Sequence, residues 1–91
     1  MRTLHLNLKE EFFNQIKGGH KRTEYRAVKP YWTTRLTKHF DFVKFKLGYA
    51  RNAPFMIFEI ESISIIDTPS IHRDLLKTSK SYAISFKNRI E

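Results

Sequence analysis

A side-chain period of two recurs along this chain and constrains its fold more than any other feature. The segments from Leu4 to Leu8, from Asp41 to Gly48 and from Tyr82 to Phe86 each place an apolar residue at every second position. Alternation of this kind is typical of a β-strand with one buried face. Strands that alternate cleanly favour an antiparallel or mixed sheet over a fully buried parallel one.

Two further segments read as strands, with less regular patterns. His20 to Val28 predicts a second strand, and Phe55 to Ile66 predicts a long one. Neither face of the long strand is purely apolar, which predicts a β-bulge or sharp bend near Glu61 and Ser62. Together with the three alternating segments, these make five predicted strands.

Local signals place two short helices early in the chain. Asn7 and Glu10 have the spacing of a capping box, with Asn in place of Ser or Thr. They predict a helix that ends at Gly18-Gly19, where a residue can adopt positive φ. Pro30 suits the first position of a second helix, which continues from Tyr31 to Leu36, with Trp32 packed in the core. The stretch 67–80 predicts a loop with one short helix near His72 to Lys77.

These elements predict one α+β domain over residues 1–91, with about five or six mostly antiparallel strands curved into a partial barrel. Aromatic residues make up 14% of the chain. Because large rings bury much area per residue, a chain of this length can form an ordered core without crosslinks. The topology of the sheet does not follow from the pattern.

Cysteine is absent, which excludes disulfides, thiolate metal sites and a cysteine nucleophile. The four histidines show no metal-ligand spacing. Glu59 and Glu61 share a strand face and allow a paired-carboxylate or Mg²⁺ hypothesis, but pairing with the chain's own Lys and Arg is the favoured alternative. We therefore expect neither a metal nor a cofactor.

The chain gives no sign of a membrane segment. The N-terminal residues alternate and lack the continuous apolar stretch of a signal peptide. The longest apolar stretch, Pro54 to Ile66, is interrupted by Glu59 and Glu61 and is shorter than the roughly 20 residues that span a bilayer. We expect an intracellular, cytoplasmic protein; its oligomeric state is left open.

Strong positive charge is the main pointer to a partner. The formal net charge is +8 and the isoelectric point is about 10.0. A strongly basic composition is typical of proteins that bind nucleic acids, although a protein can also be basic without binding them. RNA or a nucleotide-like small molecule is the expected partner.

Rings and cations are interleaved in the middle of the chain. Tyr49 follows Lys44 and Lys46 closely and precedes Arg51. Bases stack on exposed rings while cations follow phosphates, so this mixture suits single-stranded RNA. A solvated strand face is the alternative for the two lysines.

The segment Gly18 to Arg26 resembles the signature of the ASCH family, Gly-x-Lys followed by a strand that ends in Glu-x-Arg. The helix before it, the run Lys29 to Trp32 and the run Phe45 to Tyr49 are also similar to members of that family. The resemblance implies a PUA-like pseudo-barrel whose cleft is lined by Lys21, Glu24 and Arg26. It also implies binding of RNA or modified nucleosides. Some members resemble amidohydrolases that act on an acylated cytidine, and others look like ribonucleases.

Each of the three motif residues has a role in this reading and an alternative. Arg26 would form paired hydrogen bonds with a phosphate or base edge while Glu24 accepts from an amino group, or the two form a structural ion pair. Lys21 is expected to bind an anion, because a charged ammonium is its default state. If the protein is instead a hydrolase of a nucleoside amide or an RNA phosphodiester, Lys21 and Glu24 would transfer protons. A second acid would then be needed, from Glu59 or Glu61.

Overall fold

The computed structural model describes every residue from Met1 to Glu91 and contains one five-stranded sheet that curls into a half-barrel. The strands, in chain order, are β1 (Thr3–Leu8), β2 (Thr23–Ala27), β3 (Phe42–Leu47), β4 (Phe55–Asp67) and β5 (Lys80–Arg89). Their order in the sheet is β1-β3-β4-β5-β2. Only β1 and β3 pair in parallel, and the other three pairings are antiparallel. The predicted α+β pseudo-barrel with five mostly antiparallel strands is confirmed.

Three short helices, one more than the two predicted for the fold, connect the strands. They are α1 (Glu10–Lys17), α2 (Pro30–Leu36) and α3 (Arg73–Leu76), and a 3₁₀ turn at Ser70–His72 precedes α3. The third helix lies inside the segment His72 to Lys77, where the sequence predicts one. No helix of the structure has the length and apolar character needed to cross a membrane.

The start of α1 differs from the prediction. Lys9 occupies the N-cap, and no side chain caps this helix. Asn7 still belongs to β1, paired in register with Lys46, so the predicted capping box is wrong. Glu10 and Glu11 in the first turn supply the favourable charge at this end. The other end is as predicted, because Gly19 has a φ of +79°.

The core follows the period-two pattern of the strands. Leu6, Val43, Phe45 and Ile84 are almost completely buried, with relative exposures of 0–1%. Phe13 and Ile16 of α1 and Leu36 of α2 join the same cluster. Trp32 is half-buried and packs against this cluster, as the sequence predicts.

One pairing in the sheet is irregular, and one strand is shorter than predicted. The register between β4 and β5 shifts at Phe58/Glu59 and again at Ile60/Ser62, which confirms the predicted irregularity near Ser62. The second strand is shorter than the predicted His20 to Val28. His20 and Lys21 lie outside the sheet, because their amides both donate to the carbonyl of Gln15 at the end of α1.

The curl of the sheet creates a gap that positions the candidate site. β1 and β2 are the two edge strands, so neither pairs with the other through the backbone ladder. The guanidinium of Arg26 bridges these edges, with Nη2 3.4 Å from the carbonyl oxygen of Asn7. A cleft opens beside this bridge, at the carboxyl end of β1.

Candidate functional site

We call this opening the Glu24 cleft; its volume is about 260 Å³. Its charged lining residues are Lys9, Lys21, Glu24 and Arg26. Leu8 and Phe12 form an apolar wall from β1 and α1, and Leu75 and Leu76 form another from α3. Asn7, Tyr25 and His72 complete the lining. The cleft therefore combines apolar walls with three cationic side chains and one carboxylate.

Glu24 is the buried centre of the charged group, with 4% relative exposure. Its Oε1 lies 3.0 Å from Nζ of Lys21 and accepts a hydrogen bond of 2.9 Å from the amide of Tyr25. Its Oε2 lies 3.1 Å from Nη1 of Arg26. The structure thus brings together the three residues of the motif, as the resemblance implies. A carboxylate is tolerated at this depth because it is paired and hydrogen-bonded.

The two cations keep Glu24 ionised. Burial alone would raise the pKa of the Glu24 carboxyl, but the charges of Arg26 and Lys21 lower it, as do hydrogen bonds from Lys21 and the Tyr25 amide. The net result is a pKa below the ordinary value of 4.5. Glu24 is therefore a carboxylate at neutral pH and a poor proton acceptor.

Arg26 links the ion pair to the fold. Besides Glu24 and Asn7, its guanidinium contacts the carbonyl of Tyr25, to which Nη1 donates at 2.8 Å. Its Cζ atom lies 5.3 Å from the ring centroid of Trp32. Trp32 is the only tryptophan, so tryptophan fluorescence reports on the surroundings of this ring, next to the Arg26 guanidinium.

Lys21 lies at the mouth of the cleft rather than on β2. Its ammonium is 4.6 Å from the ring centroid of Phe12, and 12% of its side chain is exposed. An ammonium has three donors, and Glu24 occupies one of them. Lys21 therefore retains donors for a ligand while it remains paired with Glu24.

His72 and Tyr25 form a wall that sequence reasoning did not assign to the site. Their ring centroids are 4.8 Å apart. Burial and the charge of Lys21 lower the pKa of His72 from its ordinary value of 6.5, and these effects outweigh the opposite effect of Glu24. The imidazole is therefore mainly neutral at pH 7. The only signal for this contact was the predicted helix near His72, which does not indicate the strand that it packs against.

The other predicted binding residues lie outside the cleft. Tyr49 is 86% exposed and lines an adjoining depression that includes Asn7 and Lys9. Lys44 and Lys46 are on the face of β3 opposite to the buried side chains, and Nζ of Lys44 lies 4.2 Å from the ring centroid of Phe55. Arg51 is exposed in the turn between β3 and β4. We call Lys44, Lys46, Tyr49 and Arg51 the β3 basic surface.

The carboxylates considered as a second acid are also elsewhere. Glu59 accepts a hydrogen bond from Asn88 at 3.2 Å, and Glu61 is exposed beside the end of α2. Asp67 pairs with Lys80. No group of three or more His, Asp or Glu side chains is arranged to hold a metal ion. Glu24 is the only carboxylate that lines the cleft.

No protein-family model, curated protein or solved structure matches this chain. A functional assignment therefore depends on the residues themselves: the motif from Gly18 to Arg26 and the geometry of the Glu24 cleft.

Proposed function

We propose that this chain is an ASCH-type, PUA-like protein of the cytoplasm that binds RNA or a nucleotide-like ligand in the Glu24 cleft. One observation carries the proposal: Lys21 and Arg26 converge on a single buried carboxylate, 3.0 and 3.1 Å away, within apolar and aromatic walls. A preformed arrangement of this kind offers charge and hydrogen-bonding groups without reorganisation when a ligand enters.

The charge of the cleft favours an anionic or polar ligand. Lys9, Lys21 and Arg26 outnumber Glu24, and the whole chain carries +8. A cleft lined mainly by one sign of charge concentrates ligands of the opposite sign. Phosphorylated ligands are therefore favoured over neutral ones.

Lys21, Glu24 and Arg26 keep some hydrogen-bonding positions free, and these suit the edge of a base. Oε1 of Glu24 already accepts two hydrogen bonds, whereas Oε2 is paired only with Arg26 and has a free lone-pair position. Lys21 retains free donors beside it. A donor and an acceptor side by side match the amino and carbonyl or ring-nitrogen groups of a nucleobase.

The size and walls of the cleft favour a single nucleoside unit. Its volume of about 260 Å³ is slightly below the range of roughly 300–1,000 Å³ that is common for ligand sites. Phe12 and Tyr25 offer ring surfaces against which a flat group can pack. An unstacked base of single-stranded RNA or a free nucleotide fits these features better than a duplex.

The neutral imidazole of His72 favours a second candidate, a hydrolase of a nucleoside amide or an RNA phosphodiester. A general base needs a pKa near the working pH. Glu24 is poorly suited, because Arg26 and Lys21 hold its pKa low. In this alternative His72 would accept the proton and Lys21 would stabilise negative charge. Product formation from an acylated nucleoside or RNA, lost in His72→Gln but not in His39→Gln, would identify the enzyme.

The binding proposal is tested by titrating the protein with a short single-stranded RNA, its duplex and the matching DNA while following Trp32 fluorescence. We expect the single RNA strand to bind most tightly, with affinity falling steeply as salt rises. Saturable quenching or enhancement of Trp32 would place the ligand near Arg26. Absence of binding to all three polymers and to free nucleotides at low salt would overturn the proposal.

A further inference from the structure

We propose that a second hollow beside the Glu24 cleft is an anion subsite that binds a phosphate of the same ligand. The ligand is then a nucleoside phosphate, free or within an RNA strand, rather than an unphosphorylated nucleoside. Because this inference rests on the proposed function, its test must separate failure of the subsite from failure of the cleft.

The two cavities adjoin each other and share one wall. The second hollow has a volume of about 310 Å³ and shares Lys21, Tyr25 and His72 with the Glu24 cleft. The tilted ring pair of Tyr25 and His72 and the side chain of Lys21 therefore lie at the boundary between the cavities. A ligand with its flat group in the cleft can extend a substituent across this boundary.

The chemistry of the second hollow differs from that of the cleft. Its further lining residues include Gln15, His20, Arg22 and Thr23, and no Asp or Glu is among them. Arg22 is exposed and its side chain takes part in none of the ion pairs of the structure. Lys21 and Arg26, by contrast, are paired with Glu24. Arg22 therefore offers a complete guanidinium to a phosphate, which it can bind through two hydrogen bonds.

Backbone amides of the turn after α1 pair three of the carbonyls at the end of this helix, beside the hollow. The last carbonyls of a helix carry partial negative charge. In α1 the amides of Gly18, Gly19 and His20 donate to the carbonyls of Asn14, Ile16 and Gln15, and the amide of Lys21 also donates to Gln15. Three carbonyls that would otherwise present free acceptors near the hollow are therefore paired.

The glycine pair leaves room for the His20 side chain at the hollow. A Cβ atom on Gly18 would lie 3.0 Å from Cδ2 of His20, so a larger residue would require the exposed imidazole to shift. Gly19 adopts a φ of +79° that turns the chain toward His20 and Lys21. The Gly-Gly sequence thus serves the subsite as well as the end of the helix.

The test compares the four common ribonucleosides, their 5′- and 3′-monophosphates and a short single-stranded RNA, by calorimetry or Trp32 fluorescence. In the wild-type protein we expect a monophosphate to bind about tenfold or more tightly than its nucleoside. Arg22→Gln should remove most of that difference and leave nucleoside affinity unchanged. With RNA, it should reduce the slope of log affinity against log salt by about 0.7, the value for one phosphate contact on a single strand.

Arg2→Gln is the matched control, because it removes the same charge from an exposed residue at the opposite end of β1. Arg2→Gln should leave unchanged both the difference in affinity between monophosphate and nucleoside and the slope of log affinity against log salt. Equal binding of nucleoside and monophosphate, or equal effects of the two substitutions, would overturn the subsite while the cleft stands. Absence of binding by nucleosides, nucleotides and RNA would overturn both proposals.

Discussion

The Glu24 cleft and the β3 basic surface both carry several cationic side chains, but the two regions hold them in different ways. In the cleft, Lys21 and Arg26 lie about 3 Å from the same carboxylate, with 12% and 17% of their side chains exposed. On the β3 basic surface, neither Lys44 nor Lys46 forms an ion pair. The ammonium of Lys44 lies over the ring of Phe55 instead.

This difference separates two uses of positive charge. Charges held in a low-dielectric cleft are fixed in direction, interact strongly and are weakly screened by salt. Charges on an open strand face are flexible and screened, so they act mainly on encounter rates. We expect the cleft to determine which ligand binds and the β3 surface to affect how fast an anion arrives.

The sharpest test of the buried trio is Glu24→Gln. Without the carboxylate, Lys21 and Arg26 face each other with little access to water. Breaking a buried ion pair typically costs about 3–5 kcal/mol, and we expect about 3 kcal/mol here because both cations keep some exposure. Urea unfolding followed by Trp32 fluorescence measures the free energy of unfolding. Glu61→Gln, at an exposed position, should change it by less than about 0.5 kcal/mol. A similar change in the free energy of unfolding in both variants would contradict the claim that the buried carboxylate of Glu24 is held differently from the exposed one of Glu61.

Loss of a positive charge should weaken ligand binding more in the Glu24 cleft than on the β3 basic surface. Lys21→Gln removes a charged donor from the cleft and should weaken binding of a single-stranded RNA about tenfold or more. Lys46→Gln removes the same charge from the β3 surface and should weaken it by about threefold or less at physiological salt. Both affinities are measured in titrations below the unfolding transition. A larger effect of Lys46→Gln would make the β3 surface, not the cleft, the principal binding site.

The pH dependence of stability tests the charge state of Glu24. Because its pKa is lowered in the folded state, the stabilisation is complete above the unfolded value of 4.5 and disappears as pH falls through the folded value. The difference in unfolding free energy between wild type and Glu24→Gln should therefore be constant near neutral pH and shrink under acid. Asp41 and Asp67 also have lowered pKa values, but both proteins contain them, so their effect cancels. For this comparison both proteins also carry His72→Gln, because the charge of Glu24 raises the pKa of His72 and the titration of that imidazole would otherwise differ between them. A difference that grows toward acid pH would contradict a paired carboxylate.

The smallest effect concerns association rates. The double substitution Lys44→Gln and Lys46→Gln should slow RNA association about two- to threefold at low salt, because steering by open charges is weak and screened. Stopped-flow Trp32 fluorescence gives the rate. The effect should vanish at about 0.5 M salt, where the screening length is only a few ångströms. A reduction that persists at high salt would show direct contact by these lysines.

Patterns that act over short distances in the chain were predictable. The alternation of Leu4 to Leu8 and Tyr82 to Phe86 specified buried strand faces, and Pro30 and Gly19 specified helix boundaries. The Asn7 capping box failed because pairing of Asn7 with β3 keeps it in a strand. Tertiary pairing outweighed the local signal.

The site was only partly predictable for the same reason. Glu24 and Arg26 are two apart, and a strand keeps such residues on one face, so their proximity could be expected. The predicted strand from His20 would put Lys21 on the opposite face, and only the family resemblance placed it with them. Lys21 reaches Glu24 because the chain at His20 and Lys21 lies outside the strand, bonded to Gln15.

His72, in the 3₁₀ turn before α3, reaches the cleft through its contact with Tyr25 of β2. This contact spans about half the chain, and no local pattern specifies it. The depth of Glu24 was also unpredictable, because its strand neighbours are mostly charged or polar.

The central claim is that the Glu24 cleft, rather than the β3 basic surface, receives the ligand. NMR mapping of backbone amides and the Trp32 indole, with a short single-stranded RNA added stepwise, tests it directly. We predict that the largest shifts occur in residues 20–26 and 70–76 and at Trp32, with small shifts around Lys44 and Lys46. Shifts concentrated on β3 and the turn at Arg51, with residues 20–26 and Trp32 unchanged, would contradict the account.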